Sequence, residues 1–234
     1  MDKLRKTRAV LFDIDDTIFD RNRAQHLALE IIVRKLPEVF KNLEKERIKA
    51  AFIESDLITT RDFDAGAPSE GLRDIRSRLF LRILGISEEY THIITHMYVR
   101  EYPAVNAPVP GVKDIVSKLG GKYEMGIVSN GFADVQYTKL DTIGLRQKFT
   151  CIVLSEEIGI RKPDPKIFQH AIDVMNLKPG ECIYVGNSYT NDVIGAAHAG
   201  MTTCWFNREQ LEPGIGDIQP DFIINDLSEL TTIL

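Results

Sequence analysis

The 234-residue sequence has few of the features that mark secreted, membrane or nucleic-acid-binding proteins. It contains only three cysteines, Cys151, Cys182 and Cys204, widely spaced in apolar runs, which favours buried reduced thiols over a disulfide or a metal site. No apolar run approaches the roughly 20 residues that span a bilayer. The apolar run 9–12, which follows a basic start, is too short for a signal peptide. We therefore expect a cytoplasmic protein with no membrane partner.

The sequence also lacks an excess of positive charge. Its formal net charge is -5, so nothing favours nucleic acid or an anionic membrane surface as a partner. Hydrophobic residues make up 44% and charged residues 27%, as in ordinary globular proteins, and no internal repeat or low-complexity tract is present. The length suits one large domain or a domain with a substantial insertion.

Short apolar runs suited to buried strands recur along the chain. They are "RAVLFD" (8–13), "EMGIVSN" (124–130), "TCIVL" (150–154), "CIYVG" (182–186), "TTCWF" (202–206) and the weaker "FII" (222–224). Helical patterns precede every run after the first, including 163–176 and 191–201. Strands that alternate with helices predict an α/β fold with a doubly wound parallel sheet, which binds ligands at the carboxyl ends of its strands.

The long segment between the first two strands has a different pattern. Four stretches place apolar residues at i, i+3 and i+4, which predicts a bundle of four amphipathic helices: 27–36, 47–58, 71–85 and 89–99. In the third stretch we expect one apolar stripe, formed by Leu72, Ile75, Leu79 and Ile83. A break at 61–71 and a proline-rich return linker at 102–111 complete the predicted insertion.

Four aspartates, Asp13, Asp15, Asp16 and Asp20, follow the first strand in "AVLFDIDDTIFD" (9–20). In extended backbone the side chains of Asp13 and Asp15 point the same way, and that of Asp16 points the opposite way. Burying carboxylates together is costly without a positive partner. The pair can share Mg²⁺, divide the roles of nucleophile and general acid/base, or simply form a turn and a helix N-cap.

The later strands end in residues that suit a phosphate or a cation. Ser129 and Asn130 offer a hydroxyl and backbone N–H groups to a phosphate oxygen, although this segment also makes a good turn. Lys162, beside two prolines, can neutralise a phosphate or the carboxylates. The fourth strand leads into Asn187, and Asp192 follows at a helix start, where an N-cap is the simpler explanation.

The ordered segments "DIDDT", "SNG", "KPDPKIF" and "GNSYTNDVIGAAHAGM" resemble the four motifs of the haloacid dehalogenase (HAD) superfamily. The resemblance covers the whole chain and is greatest to the C1-capped phosphatases, including pyrimidine nucleotidase-like and phosphoglycolate phosphatase-like members. It implies a Rossmann-like core of residues 1–19 and 108–234 and a helical cap of residues 20–107. It further implies a small phosphorylated metabolite as the substrate, bound by a monomer or a homodimer.

The resemblance also implies the roles of the rim residues. Asp13 would attack phosphorus and form an aspartyl-phosphate, and Asp15 would protonate the leaving oxygen and then deprotonate water. Ser129 and Lys162 would bind the phosphoryl oxygens, with Asn130 beside them. These roles describe a Mg²⁺-dependent phosphomonoesterase.

The implied Mg²⁺ site involves Asp13, Asp15 through its backbone carbonyl, Asn187 and Asp192. Most phosphatases of this type have aspartate where this chain has Asn187, and a neutral amide contributes less electrostatically. We therefore expect weaker metal binding, with Asp192 supplying part of the missing charge. Arg21 and Asn22 follow the first motif closely, so they are the further residues that we expect to contact the substrate.

Three alternatives remain open. A phosphosugar mutase of the β-phosphoglucomutase type would keep every motif and would not release inorganic phosphate during turnover. A 2-haloacid dehalogenase would use the same nucleophile without metal, but its halide leaving group needs no proton, so Asp15 argues against it. A non-catalytic binding protein is the third alternative, with Asn187 as the first sign of a decayed site.

Overall fold

A computed structural model describes residues 6–68, 70–212 and 218–234 and contains one six-stranded parallel sheet. All six predicted strands are confirmed: β1 Ala9–Phe12, β2 Glu124–Ser129, β3 Cys151–Leu154, β4 Cys182–Gly186, β5 Thr202–Phe206 and β6 Phe222–Ile224. The strand order is β3-β2-β1-β4-β5-β6. β1 therefore lies at the centre, where the order reverses, and the crevice beyond its carboxyl end is the expected ligand site.

Helices connect successive parallel strands, as in doubly wound folds. They are α1 Arg21–Lys35, α2 Pro37–Phe40, α3 Lys45–Asp64, α4 Leu72–Leu84, α5 Thr91–Ala104, α6 Val112–Leu119, α7 Ala133–Thr142, α8 Ser155–Ile158, α9 Pro165–Val174, α10 Gly195–His198 and α11 Leu230–Ile233. The fold class predicted from the sequence is thereby confirmed.

The helix predicted at 191–201 is replaced by two short segments. A wider, π-helical turn spans Tyr189–Ile194 and is followed directly by α10. By contrast, the helix predicted at 163–176 is present as α9. Pro165 in the first turn and the Asp164 carboxylate, which accepts a hydrogen bond from the Lys166 N–H at 2.9 Å, fix where it begins.

The chain divides into two units, one made of Met1–Arg21 with Asn106–Leu234 and the other of Asn22–Val105. The first, the α/β unit, contains the sheet; β1 is completely buried, as a central strand covered on both faces must be. The three cysteines are buried and unbonded, which confirms the prediction of core thiols. Within the described residues, no helix combines the length and apolar character of a membrane span.

The second, the helical unit, has an aromatic core. The Phe80 ring lies 6.0 Å from that of Phe40 and 5.7 Å from that of Phe52, which in turn lies 5.2 Å from the Tyr98 ring. The Arg76 guanidinium stacks 3.8 Å above Tyr98. Aromatic pairs at these separations add to the free energy gained from area burial, so this cluster organises the unit.

The apolar stripe predicted on α4 is not the most deeply buried face of the helix, because Leu72, Leu79 and Ile83 are only partly buried. The buried face of the helix consists of Ser77, Phe80, Leu81 and Leu84. Ile75, assigned to the predicted stripe, is 44% exposed. Both sets have helical spacing, and the aromatic partners of Phe80 on α2 and α3 decide which face is buried.

Two predicted loop boundaries are also wrong. α3 continues through Asp64, into the break predicted at 61–71. α5 continues to Ala104 and includes Pro103, although the linker was predicted from 102. The Tyr98 and Tyr102 rings stack at 5.0 Å one turn apart, and this contact supports the final turn of α5.

Candidate active site

Asp13 lies immediately after β1, and its carboxylate is the meeting point of three strand ends. Its N–H donates to the Val185 carbonyl on β4 at 3.0 Å, which fixes the backbone. Its Oδ1 accepts hydrogen bonds from Ser129 Oγ at 2.9 Å and from Lys162 Nζ at 2.7 Å. Among the described residues no group donates to its Oδ2. One oxygen is therefore held in place while the other is available.

The surroundings of Asp13 disfavour its ionised form. Burial, opposed by Lys162 and reinforced by the nearby carboxylates of Asp192 and Asp15, raises the pKa of Asp13 to about 6. A carboxyl group with this pKa is only partly stabilised by the protein's own cations. An added cation would therefore stabilise its charged form.

Lys162 is 4% exposed and lies among three oxygen atoms. Its Nζ donates to Asp13 Oδ1 at 2.7 Å, to Asp192 Oδ1 at 2.7 Å and to Tyr184 Oη at 3.0 Å. Burial opposes its charge, but the two carboxylates outweigh burial and raise the pKa of Lys162 above its usual value. This lysine is therefore an ammonium ion that is fully held in place.

Asn130 contributes its side chain to the Lys162 loop. Its Nδ2 donates to the Lys162 carbonyl at 3.1 Å, and its Oδ1 accepts from the Lys162 N–H at 2.9 Å. This pair of bonds joins the end of β2 to the loop before α9. The predicted substrate-binding role of Asn130 is thus left to its backbone N–H.

Asp192, which the sequence predicted as a metal ligand, has both carboxylate oxygens hydrogen-bonded to protein groups. Its Oδ1 accepts from Lys162 Nζ, and its Oδ2 accepts from the Ser188 N–H at 2.8 Å. The side chain is 1% exposed. Gly186 makes room for it, because a Cβ at position 186 would lie 2.4 Å from the Asp192 carboxylate. These contacts suit a residue that positions Lys162.

Asn187 is partly exposed beside the loop that follows β1. Its Oδ1 accepts a hydrogen bond from Thr17 Oγ1 at the long distance of 3.4 Å, and its backbone carbonyl accepts from Trp205 Nε1 at 2.8 Å. The backbone is therefore anchored to β5, whereas the amide oxygen is only weakly engaged.

Asp15 is held by two residues that the sequence reasoning missed, both on α7. Lys139 Nζ lies 2.6 Å from its Oδ1, and Gln136 Nε2 lies 2.9 Å from its Oδ2. Burial opposes ionisation, but Lys139 and then Arg21 outweigh it and lower the pKa of Asp15. Arg21 thus acts on the site electrostatically, while its N–H bonds to Asp16 Oδ1 at 3.0 Å. Asn22, the other predicted contact, begins the helical unit.

The pattern of α7 contained a signal for these residues. Gln136, Lys139, Leu140 and Ile143 follow helical spacing and are all buried, so two polar residues share a stripe with two apolar ones. Buried polar groups need partners, and a lysine on an apolar stripe therefore implies a buried carboxylate.

The oxygen atoms at this rim fit a magnesium ion by their chemistry. Mg²⁺ prefers carboxylate, carbonyl and amide oxygens, which Asp13 Oδ2, the Asp15 carbonyl and Asn187 Oδ1 can supply. In the part of the chain that the structure describes, no group of three or more His, Cys, Asp or Glu side chains is arranged to hold a metal. A site built from one carboxylate, one backbone carbonyl and one amide satisfies both observations.

The fold and the rim of polar strand ends define the class of protein: a doubly wound α/β protein whose central strand ends in a paired-aspartate motif. The family model for haloacid dehalogenase-like hydrolases matches residues 7–200, and the chain belongs to this family. The resemblance seen in the sequence is thus confirmed.

Individual relatives agree with this assignment. The glyceraldehyde 3-phosphate phosphatase of Methanopyrus kandleri is 30% identical over 97% of both chains. The pyrimidine 5'-nucleotidase YjjG of Escherichia coli is 32% identical over 60% of this chain and 63% of its own length. The structure of the HAD-hydrolase YfnB from Bacillus subtilis bound to magnesium superposes with a TM-score of 0.85 at 29% identity, covering 97% of this chain and 98% of that one.

Proposed function

We propose that the protein is a Mg²⁺-dependent phosphomonoesterase that works through an aspartyl-phosphate at Asp13. The observation that carries this proposal is the different environment of the two aspartates. Asp13 keeps one oxygen available beside Lys162 and Ser129, whereas both oxygens of Asp15 are held by α7. Relatives named as phosphatases support a phosphate monoester as the substrate.

In the first step Asp13 Oδ2 attacks phosphorus. A bond forms between this oxygen and phosphorus, the bond from phosphorus to the leaving oxygen breaks, and Asp15 gives that oxygen a proton. Lys162 and Ser129 stabilise the charge on the phosphoryl oxygens during the transfer. The alcohol then departs and leaves the phosphoryl group on Asp13.

In the second step a water molecule attacks the same phosphorus. Asp15, now ionised, accepts the proton of the water, the bond between phosphorus and Asp13 breaks, and inorganic phosphate leaves. In the free protein the lowered pKa of Asp15 favours the ionised form that this second step uses. The first step requires the protonated form, which the negative charge of the bound phosphate favours by raising this pKa. The proton taken from water then remains for the next cycle, so proton transfer balances over one turnover.

Magnesium would be held by Asp13, the Asp15 carbonyl and Asn187. When bound, it supplies the positive charge that allows an anionic nucleophile to approach an anionic substrate. Asp192 is assigned to positioning Lys162 instead of to the metal. Because Asn187 is neutral, we propose that the metal is bound more weakly than it would be with aspartate there.

The helical unit is proposed to act as the cap that selects a small phosphorylated metabolite. Arg21 and Asn22 lie where the chain leaves the α/β unit and enters the helical unit, so they remain our candidates for substrate contacts. Such a cap would exclude bulk water during the first step and readmit one molecule for the second.

A panel of phosphate monoesters tested with Mg²⁺ provides the experiment. The native protein should release inorganic phosphate from at least one member, and Asp13→Asn should lower that rate by at least about 10³-fold. Equal rates for the native and variant proteins would refute the proposal. Turnover without release of inorganic phosphate would favour the mutase reaction.

A further inference from the structure

Two polar residues of α7 are almost completely buried, although polar side chains of a helix usually face solvent. Gln136 is 1% exposed and Lys139 is 2% exposed. They lie three residues apart, so they project from the same face of the helix. α7 begins shortly after β2 ends, which brings this face to the rim that carries Asp15.

The two side chains bind both carboxylate oxygens of Asp15. Lys139 Nζ is 2.6 Å from Oδ1, and Gln136 Nε2 is 2.9 Å from Oδ2. A carboxylate that is held at only one oxygen can still rotate about its Cβ–Cγ bond. A carboxylate held at both oxygens keeps its plane, so whichever oxygen takes up the proton stays in one place.

Gln136 also links Asp15 to the rest of the site. The same Nε2 lies 3.2 Å from Ser129 Oγ, which donates to Asp13, and 3.0 Å from the Asn130 carbonyl. Gly131 makes room for this amide, because a Cβ at position 131 would lie 2.8 Å from Nε2. Gln136 therefore links Asp15, through Ser129, to Asp13, and so fixes the two aspartates relative to each other.

The contribution of these residues to stability does not explain their presence. A buried ion pair is often no more stabilising than apolar residues of the same size, because both charges lose their hydration. Leu140 and Ile143 show that α7 packs well with apolar residues on the same stripe. Lys139 and Gln136 are better explained by what they do to Asp15.

We propose that Lys139 and Gln136 are positioning residues that hold Asp15 for transfer of a proton to the leaving oxygen. The inference rests on the proposed function, in which Asp15 is the general acid. It assigns to α7 a role in the chemical step beyond that of a connecting helix. Neither residue is proposed to touch the substrate.

Comparison of two leaving groups tests the inference. The value of kcat/KM includes every step up to departure of the leaving group. The alkoxide released from an alkyl phosphate of the panel needs a proton, whereas the p-nitrophenolate released from p-nitrophenyl phosphate is a stable anion and needs none. Lys139→Met and Gln136→Met should lower kcat/KM about 10²-fold for the alkyl phosphate. For p-nitrophenyl phosphate the loss of kcat/KM should be smaller by a factor of at least about ten.

Two reference variants separate the possible failures. Asp15→Asn should show the same dependence on leaving group; if it does not, the proposed acid role of Asp15 fails. Lys118→Met removes an exposed lysine from α6 and should change neither rate.

If Asp15→Asn shows the dependence but the α7 variants lose activity equally on both substrates, or lose none, the inference is overturned. Thermal unfolding monitored by circular dichroism establishes that each variant is folded. Should Lys139→Met not fold, the result with Gln136→Met decides alone.

Discussion

At the scale of single residues, Asp13 and Asp15 are distinguished by what surrounds them. The sequence left open whether the pair shares a metal, divides catalytic roles or forms a turn. In the structure Asp13 faces Lys162 and Ser129, while Asp15 faces Lys139 and Gln136. Identical side chains thus acquire different pKa values, which suits the different tasks that we propose for them.

Asp192→Asn tests whether Asp192 positions Lys162. We expect kcat to fall about 10²-fold because Lys162 loses one of its two carboxylate partners, and we expect Mg²⁺ affinity to stay unchanged. The change should also lower the free energy of unfolding by about 3 kcal/mol, as broken buried ion pairs do. Tyr184→Phe removes the hydroxyl that accepts from Lys162 Nζ and donates to the Val128 carbonyl at 2.6 Å, but it leaves both carboxylate partners of Lys162 in place, so it should have a smaller effect on each.

Mg²⁺ affinity is measured by isothermal titration calorimetry, and kcat by phosphate release. If Asp192→Asn weakens Mg²⁺ binding instead, the metal-ligand role predicted from the sequence is correct and the positioning role is not.

Asp13 should make the metal-free protein less stable as the pH rises. Its pKa is about 6 in the folded protein and 3.8 in the unperturbed state, so the folded protein binds the proton more tightly than the unfolded chain. Its contribution to stability is full below pH about 4 and is lost as the pH rises through about 6, by about 3 kcal/mol in total. Asp13→Asn lacks this titration.

Urea unfolding in a metal chelator, repeated across this pH range, measures the effect. The free energy of unfolding of the native protein minus that of Asp13→Asn should fall between about pH 4 and pH 7. A difference that stays constant with pH would show that burial does not raise the pKa of Asp13.

At the scale of elements, the strands were predictable and the helix faces were not. A central parallel strand is buried on both sides, so a short apolar run such as that of β1 identifies it without reference to any partner. A helix shows only one face to the core, and α4 contains two apolar stripes with the same spacing. Which stripe is buried depends on Phe40 and Phe52, far away in sequence.

Two substitutions on α4 test this assignment. Phe80→Ala should lower the free energy of unfolding by about 3–5 kcal/mol, because it leaves a cavity among aromatic rings. Ile75→Ala, on the stripe that the sequence suggested, should change it by less than about 1 kcal/mol. Chemical denaturation followed by circular dichroism gives both values, and comparable losses would contradict the observed packing.

At the scale of the whole molecule, the site is a product of topology. Residues 13, 129, 162 and 187 are remote in sequence. A parallel sheet brings them to one rim because each ends a strand or follows a strand or a strand–helix unit. This convergence could be predicted from order and spacing. The partners of Asp15 and Asp192 could not be predicted in this way. They depend on which carboxylate oxygen Lys139 and Lys162 each reach in the folded protein.

The charge of the assembled site determines how tightly it binds metal. Asn187→Asp adds a negative charge at the amide oxygen proposed to bind Mg²⁺, so the dissociation constant of Mg²⁺ should fall about tenfold. Asn176→Asp adds the same charge after α9, where the chain returns toward the amino end of β4, and should leave the dissociation constant unchanged. Calorimetric titration with Mg²⁺ provides the comparison. Equal affinities for the native protein and Asn187→Asp would argue against Asn187 as a ligand.

The most direct test of the central claim is to trap the phosphoryl group on Asp13. The native protein is mixed with Mg²⁺ and a ³²P-labelled phosphate monoester that it hydrolyses, quenched with acid before the first turnover ends, digested and mapped by mass spectrometry. The proposed mechanism predicts label on the peptide that contains Asp13, and none in Asp13→Asn. Rapid release of phosphate with no label on Asp13 at any quench time would contradict it.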